Sequence, residues 1–175
     1  MTAAAVETLV IRPARDEDGD GVGRLTARCW ADYPGCYFDR HGELADLDRI
    51  ASLYEAKGGM AWTAVLDDRV VGSVVVTPAG EVGGAWEIFK LYVDPAIRRR
   101  SIATLLMDTA EAHAADRGAA RIILWTDTRF EGAHRFYERR GYVADGRTRA
   151  LDDLSNSVEY FYAKRVGGSR QAAGL

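Results

Sequence analysis

The feature that most constrains this fold is a set of three closely spaced strand-like runs in the middle of the chain. The runs are Met60–Leu66, Val70–Thr77 and Trp86–Val93, and each is rich in β-branched or aromatic residues. Only Asp67-Asp68-Arg69 separates the first two runs, which predicts a β-hairpin, and Asp94-Pro95 ends the third because proline cannot continue a strand ladder. We therefore expect this part of the chain to supply three strands of one sheet.

Helical and strand-like patterns alternate along the rest of the chain. The clearest helix is Ser101–Arg117, in which apolar side chains recur with the period of an α-helix. Further helices are predicted at Asp16–Trp30, Leu44–Lys57 and Glu131–Arg140, and further strands at Val6–Pro13, Arg121–Trp125, Tyr142–Val143 and Val158–Ala163. This order predicts an α/β (α+β) fold, in which helices cover both faces of a mixed sheet.

The size and composition of the chain fit one globular domain. With 175 residues, of which 47% are apolar and 28% charged, the chain can bury a core without disulfides. We expect a single domain over residues 1–165, followed by a small polar tail over 166–175.

Composition also excludes several classes of protein. A net charge of -3 and a pI near 5.6 argue against a nucleic-acid or anionic-membrane surface. No apolar stretch reaches the ~18 residues of a membrane-spanning helix, and the first residues lack the pattern of a signal peptide. Cys29, Cys36 and His41 lack the paired spacing of zinc ligands, so we expect no metal. The sequence therefore predicts a cytoplasmic protein without nucleic-acid or membrane partners.

An anion site is predicted where the third strand-like run gives way to the long helix. Arg98, Arg99 and Arg100 are followed by Ser101, Ile102 and Ala103 at the helix start. The first amides of a helix lack intrahelical partners and the helix dipole is positive there, so a phosphate is favoured. The alternative is a solvated basic helix start, although three cations placed there oppose the dipole.

The same segment resembles the acetyl-CoA-binding motif of the GNAT N-acetyltransferases, Arg/Gln-x-x-Gly-x-Gly/Ala. It aligns here as Arg98 to Ala103, and the preceding Leu91-Tyr92-Val93-Asp94-Pro95 matches the strand that leads into the family's loop. A second family motif is matched by Ala133 to Tyr142, which contains Phe136-Tyr137-Glu138. The resemblance covers about residues 6 to 165 and implies a mostly antiparallel sheet flanked by helices.

The resemblance also implies how acetyl-CoA is held. The backbone of Leu91, Tyr92 and Val93 would bind the pantetheine arm and the thioester, and the pyrophosphate would lie on Arg98, Arg99, Arg100, Ser101, Ile102 and Ala103. Two residues depart from the family pattern. Ser101 replaces the usual glycine, and Phe130 replaces an asparagine common near the pantetheine, which suggests a contact from Thr128 or Arg129 instead.

Two residues are candidates for proton transfer. Tyr137 matches the family tyrosine that faces the CoA sulfur, and it would protonate the leaving thiolate; without the match it would be an ordinary core tyrosine. Glu87 is the candidate base, directly or through water, because strand alternation places residues 87, 89, 91 and 93 on one face. The alternative is a surface glutamate that pairs with Lys90 or an arginine.

The acceptor site is predicted in the link between the first two helices. Trp30, Tyr33, Tyr37 and Phe38 occur there beside Asp32 and Asp39, and aromatic faces with carboxylates suit a cationic amine. The alternative is a loop whose aromatic rings complete the core. The predicted activity is acetyl transfer from acetyl-CoA to a small-molecule amine. A protein N-terminal or lysine acetyltransferase and a non-catalytic acyl-CoA-binding module stay open, as does a homodimer.

Overall fold

The computed structural model describes residues 8–80, 84–97 and 101–166. Within these residues the chain forms one seven-stranded sheet with the strand order β1-β2-β3-β4-β5-β7-β6. The strands are β1 Leu9–Pro13, β2 Met60–Leu66, β3 Arg69–Pro78, β4 Ala85–Val93, β5 Arg121–Asp127, β6 Val143–Ala150 and β7 Val158–Arg165. All neighbouring strands are antiparallel except β4 and β5, which are parallel. The predicted mixed, mostly antiparallel sheet is confirmed.

Helices cover both faces of this sheet, as the sequence predicts. They are α1 Gly19–Trp30, α2 Ser52–Ala56, α3 Ile102–Asp116 and α4 Glu131–Arg139. Leu106 and Met107 of α3 pack in one core cluster with Val74, Val76 and Ile88 of the sheet. On the other face, a second cluster joins α1 and α2 to the sheet through Val22, Leu47, Ile50, Tyr54, Ala61 and Val75. No helix of the described residues is long and apolar enough to cross a membrane.

The single helix predicted over Leu44–Lys57 is wrong. The structure has a 3-10 turn at Ala45–Arg49, followed by the short helix α2. The cause is Asp16, whose Oδ1 accepts the backbone N–H groups of Ala51 and Ser52 at 2.8 and 2.9 Å. Those amides would donate to carbonyls of the preceding turn in a continuous helix, so the carboxylate starts a new helix instead.

The end of the described chain still belongs to the fold. Val166 donates its N–H to the carbonyl of Ala120 at 3.0 Å, and its side chain packs against the core. Residues 167–175 of the expected tail lie outside the described residues.

Candidate active site

The sheet opens between its two parallel strands, β4 and β5. β4 and β5 pair only from Ala85 to Glu87 on β4, opposite Arg121 to Ile123 on β5. Beyond that point β4 continues beside β3 and β5 continues beside β7, so a cleft opens between them. One edge of β4 therefore has backbone N–H and C=O groups available to a ligand that lies along the strand.

A cavity of about 970 Å³ occupies this cleft and extends onto the α1 side of the sheet. Its size lies within the range of ligand sites in proteins. The residues that line it come from five parts of the chain: Cys29–Cys36 and Glu43–Leu44, Ile88–Val93, Ser101–Thr104, Trp125–Arg139, and Leu151–Glu159, each in part. The cofactor-site candidates Leu91, Tyr92, Val93, Ser101, Ile102 and Ala103 are all among them.

A β-bulge in β4 changes which side chains share a face. Lys90 has φ +52°, and the register with β3 shifts by one residue between Ser73 and Val75. Ser73 donates its hydroxyl to the carbonyl of Lys90 at 2.8 Å, which holds the bulge. The prediction that residues 87, 89, 91 and 93 share one face is therefore wrong. Phe89 packs on the α1 side, whereas Leu91 and Val93 pack on the α3 side.

The bulge turns Tyr92 toward α1. The indole N–H of Trp30 donates to the Tyr92 hydroxyl at 3.2 Å, and the two rings meet edge to face. Cys29 donates its thiol to the carbonyl of Val93 at 3.3 Å. Helix α1 thus fixes the end of β4 from the side opposite α3.

The start of α3 closes the other end of the cleft. Ser101 precedes the helix with φ +59° and ψ +16°, the left-handed conformation that glycine adopts without strain, and its side chain makes no capping hydrogen bond. Ile102 is buried and Ala103 is half-buried beside it. Arg98, Arg99 and Arg100, the predicted cationic part of the anion site, lie outside the described residues.

Ser101→Gly is expected to tighten acetyl-CoA binding by about threefold to tenfold, or about 0.7 to 1.4 kcal/mol. Glycine removes the Cβ, so an anionic oxygen of the pyrophosphate can approach the backbone amides more closely. Titration of acetyl-CoA into both proteins measures the change. Weaker binding in the variant would show that the serine hydroxyl contacts the ligand.

Tyr137 is buried in α4 at the wall of the cavity. Only 8% of it is exposed, and its ring contacts those of Phe136, Tyr142 and Tyr162. Burial raises the pKa of Tyr137 well above its ordinary value, so its phenol stays protonated at neutral pH. A protonated phenol beside the cleft is chemically suited to give a proton to a leaving group.

Glu87 lies just before the cleft opens. It is half-buried in the part of β4 that pairs with both β3 and β5, opposite Thr77 and Ile123. The described residues that line the cavity begin at Ile88 on this strand, and Glu87 is not one of them. A role for Glu87 in the reaction would therefore require a bridging water.

The aromatic residues of the acceptor prediction separate into two pairs. Trp30 and Tyr33 line the cavity, and the ring of Tyr33 lies 4.6 Å from that of Phe130, which also lines it. Tyr37 and Phe38 are exposed and are not among the described lining residues. Phe38 instead contacts Trp30 edge to face from outside.

The part of the cavity beside Trp30 and Tyr33 is called the acceptor end below. Its opposite wall comes from the β6–β7 loop, residues 151–157, which no pattern in the sequence indicates. Ser155 accepts the N–H of Tyr37 on its hydroxyl at 2.8 Å, and Glu43 accepts the N–H of Leu154 at 2.7 Å. These hydrogen bonds join the loop after α1 to the β6–β7 loop. The partners are more than a hundred residues apart, so no local pattern could have shown the contact.

Arg129 ties the end of β5 to the same loop. Its guanidinium forks onto the Asp127 carboxylate at 2.8 and 2.6 Å and donates to the Ser157 hydroxyl at 3.2 Å. Burial of Asp127 acts to raise its pKa, but the hydrogen bonds from Arg129 and Ser157 outweigh burial and the pKa lies below its usual range. Asp127 lines the cavity and Arg129 is not among the described lining residues, so this arginine is committed to the carboxylate.

No group of three or more His, Cys, Asp or Glu side chains within the described ranges is arranged to hold a metal ion.

The fold is similar to that of several solved structures. An acetyltransferase of the GNAT family from Staphylococcus aureus Mu50 superimposes with a TM-score of 0.78 at 20% identity, covering 90% of this chain and 99% of that one. The protein yncA of Salmonella typhimurium, solved with its cofactor acetyl-CoA, gives a TM-score of 0.71 at 12% identity over 92% and 95% of the two chains.

Sequence comparison gives the family. The model of the acetyltransferase (GNAT) family matches residues 24–142, so the chain belongs to the GNAT acetyltransferases and is an acyltransferase. Escherichia coli K12 YjgM, an uncharacterized N-acetyltransferase, is 28% identical over 81% of this chain and 86% of its own length. Human N-acetyltransferase 8 is 30% identical, but the match covers only 59% of this chain and 47% of that protein.

Proposed function

We propose that this protein transfers an acetyl group from acetyl-CoA directly to a primary amine of a small molecule. The observation that carries the proposal is the cleft between β4 and β5, with the buried phenol of Tyr137 in its wall. An extended thioester ligand fits a cleft with an unpaired strand edge on one side and a helix start at its end. The acetyl-CoA complex of yncA, a protein of the same fold, supports this choice of donor.

In the proposed complex each part of the cleft binds one part of acetyl-CoA. The free edge of β4 at Leu91, Tyr92 and Val93 takes the pantetheine amides as an added strand would. The amides at the start of α3, from Ile102 and Ala103, take the pyrophosphate, together with Arg98, Arg99 and Arg100. The thioester then lies near Tyr137, where the two strands diverge.

The reaction needs a neutral amine, a carbonyl carbon and a proton for the leaving group. The amine lone pair attacks the thioester carbon, a C–N bond forms, and the C–S bond breaks with its electron pair on sulfur. Tyr137 gives its phenolic proton to that sulfur. The proton that the amine loses passes through water to Glu87, and proton exchange with solvent restores both residues.

The two hydrogen-bonded loops at the acceptor end favour a small molecule over a protein acceptor. The hydrogen bonds from Tyr37 to Ser155 and from Leu154 to Glu43 join the two loops that bound this end. A peptide acceptor would require these loops to separate. A non-catalytic acyl-CoA-binding module, the other alternative, would not need a buried phenol in the cavity wall.

Acetyl-CoA is expected to raise the melting temperature, and a panel of primary amines is expected to release free CoA thiol. Binding to the native state alone stabilises it by ~2.7 kcal/mol at a hundredfold excess over Kd. NAD and ATP serve as controls and are expected to shift the melting temperature much less. No shift at millimolar acetyl-CoA would contradict the donor assignment, and a shift without thiol release from any amine would favour the binding module.

Glu87→Gln is expected to lower the rate mainly below the pKa of the acceptor amine, because a base is needed only where the amine is protonated. The rate of thiol release is measured across pH for this variant and for Glu131→Gln, which removes an exposed carboxylate from α4. If Glu87→Gln loses the same factor at every pH, Glu87 is structural and another group accepts the proton.

A further inference from the structure

We infer that the acceptor is an amine that carries a second positive charge, as an aliphatic diamine does. This inference rests on the proposed function, because it concerns the acceptor end of the same cavity. The reacting end is located independently by the β4–β5 cleft and by Tyr137. The charge of the wall at the acceptor end then determines which charge is favoured on the part of the acceptor that does not react.

The acceptor end is lined by more carboxylates than cations. Glu43, Asp127, Asp152, Asp153 and Glu159 line it, and Lys90 is a cation that lines the cavity with them. Arg139, the last residue of α4, also lines the cavity.

Part of this charge is neutralised within the protein. Arg129 pairs with Asp127 at 2.6 Å, and Arg149 pairs with Glu159 at 2.6 Å. Lys90 is in turn neutralised by Asp46 at 3.0 Å, so its ammonium group is already committed to a carboxylate. An acceptor carboxylate would therefore find no uncommitted cation among the described residues at this end.

Three of the five lining carboxylates, Glu43, Asp152 and Asp153, take no part in these ion pairs. Glu43 and Asp153 accept backbone N–H groups from Leu154 and Ser157, and Asp152 is exposed on the same loop. Within the described part of the chain, none of the three has a cationic group within 4.0 Å. A second ammonium group would supply the missing countercharge.

Aromatic rings at the same end suit a cation as well. Trp30 and Tyr33 line the cavity on one side and Trp125 on the other. The Arg149 guanidinium already covers the Trp125 ring, 4.4 Å from its centre, so Trp30 and Tyr33 are the rings that would meet a ligand cation. Carboxylates and ring faces thus favour the same ligand charge.

The test compares three acceptors that share one carbon chain: 1,4-diaminobutane, 1-aminobutane and 4-aminobutanoate. Their far ends are positive, neutral and negative, and the reacting amine is the same. We expect kcat/KM, from thiol release, to fall in that order, with the diamine at least about tenfold above the monoamine at low salt. Added salt should reduce this ratio because it screens charges near the surface.

Two double variants test whether the carboxylates of the cavity wall cause the preference for the diamine. Asp152→Asn with Asp153→Asn keeps the size and one acceptor oxygen of each side chain, and should bring the diamine-to-monoamine ratio to about threefold or less. Glu55→Gln with Asp116→Asn removes the same charge from exposed sites elsewhere and should leave the ratio unchanged.

The outcomes separate the two claims. No thiol release from any acceptor contradicts the proposed acetyl transfer. Measurable turnover with equal rates for the three acceptors, or with 4-aminobutanoate preferred, overturns the diamine inference alone. A ratio that the Asp152 and Asp153 substitutions do not change also overturns it.

Discussion

Tyr137→Phe should lower kcat by ~10²-fold or more, with little change in the affinity for acetyl-CoA. The substitution keeps the ring that packs against Phe136, Tyr142 and Tyr162, and removes only the proposed proton donor. Because burial raises the pKa of Tyr137, the phenol is protonated through the neutral and mildly alkaline range. The loss should therefore be nearly independent of pH there, as measured by thiol release at saturating substrates.

Tyr162→Phe is the matched control for this experiment. Tyr162 belongs to the same cluster of rings, but its hydroxyl donates to Glu138 at 3.0 Å and it is not among the described residues that line the cavity. Its loss should leave kcat within about threefold of the parent value. Full activity in Tyr137→Phe would mean that the thiolate leaves without a proton from the enzyme.

Arg129→Ala should reduce the free energy of unfolding by about 3 kcal/mol. The substitution leaves the Asp127 carboxylate, whose side chain is 8% exposed, without the guanidinium that binds both of its oxygens. It also removes the donors to Ser157 and to the Ser155 carbonyl, so the wall of the acceptor end loosens. Urea unfolding of both proteins at neutral pH measures the difference.

The difference should shrink as the pH falls. The folded-state pKa of Asp127 lies below its unfolded value, so the stability that this group contributes is present above the unfolded value and is lost as pH falls through the folded one. In the variant the unpaired carboxylate is destabilising at neutral pH, and protonation relieves it. Arg135→Ala, which breaks an exposed pair with Glu131 at 3.8 Å, should cost less than ~0.5 kcal/mol. Equal losses in the two variants would contradict the role given to Arg129.

Most of the sheet could be predicted because its strands carry a strong local pattern. The hairpin between β2 and β3 was predicted without a glycine, and Asp67 and Asp68 form its turn with φ +46° and +63°. Strand β6 was predicted only at its start. All of its residues are exposed at the sheet edge, so no alternation of apolar side chains marks its length.

The bulge in β4 could not be predicted from the strand alone. An extra residue in one strand is defined by its pairing with a neighbour, and the run from Trp86 to Val93 has apolar residues at both odd and even positions. One inserted residue reverses the faces of all those that follow it. This is why Tyr92, rather than Leu91 or Val93, meets Trp30.

The acceptor end was predicted only in part, for a similar reason. Trp30 and Tyr33 belong to a segment rich in aromatic residues, and that composition predicts a binding site there. The carboxylates of the opposite wall belong to residues 151–159, where nothing in the local sequence distinguishes a cavity wall from an exposed turn. Their proximity depends on the return of β7 to pair with β5.

The short pairing of β4 with β5 also bears on how cooperatively the molecule unfolds. Hydrogen bonds connect β1 to β4 in one block and β5 to β7 in another, and the ladder that joins the blocks is limited to Ala85–Glu87. Besides this ladder, the core beneath α3 joins the two blocks, and units joined in this way can open at different free energies. A ligand that bonds along the free edge of β4 and packs against the opposite wall spans this seam. Bound acetyl-CoA would then couple the unfolding of the two blocks, so the donor would stabilise the fold as well as supply the acetyl group.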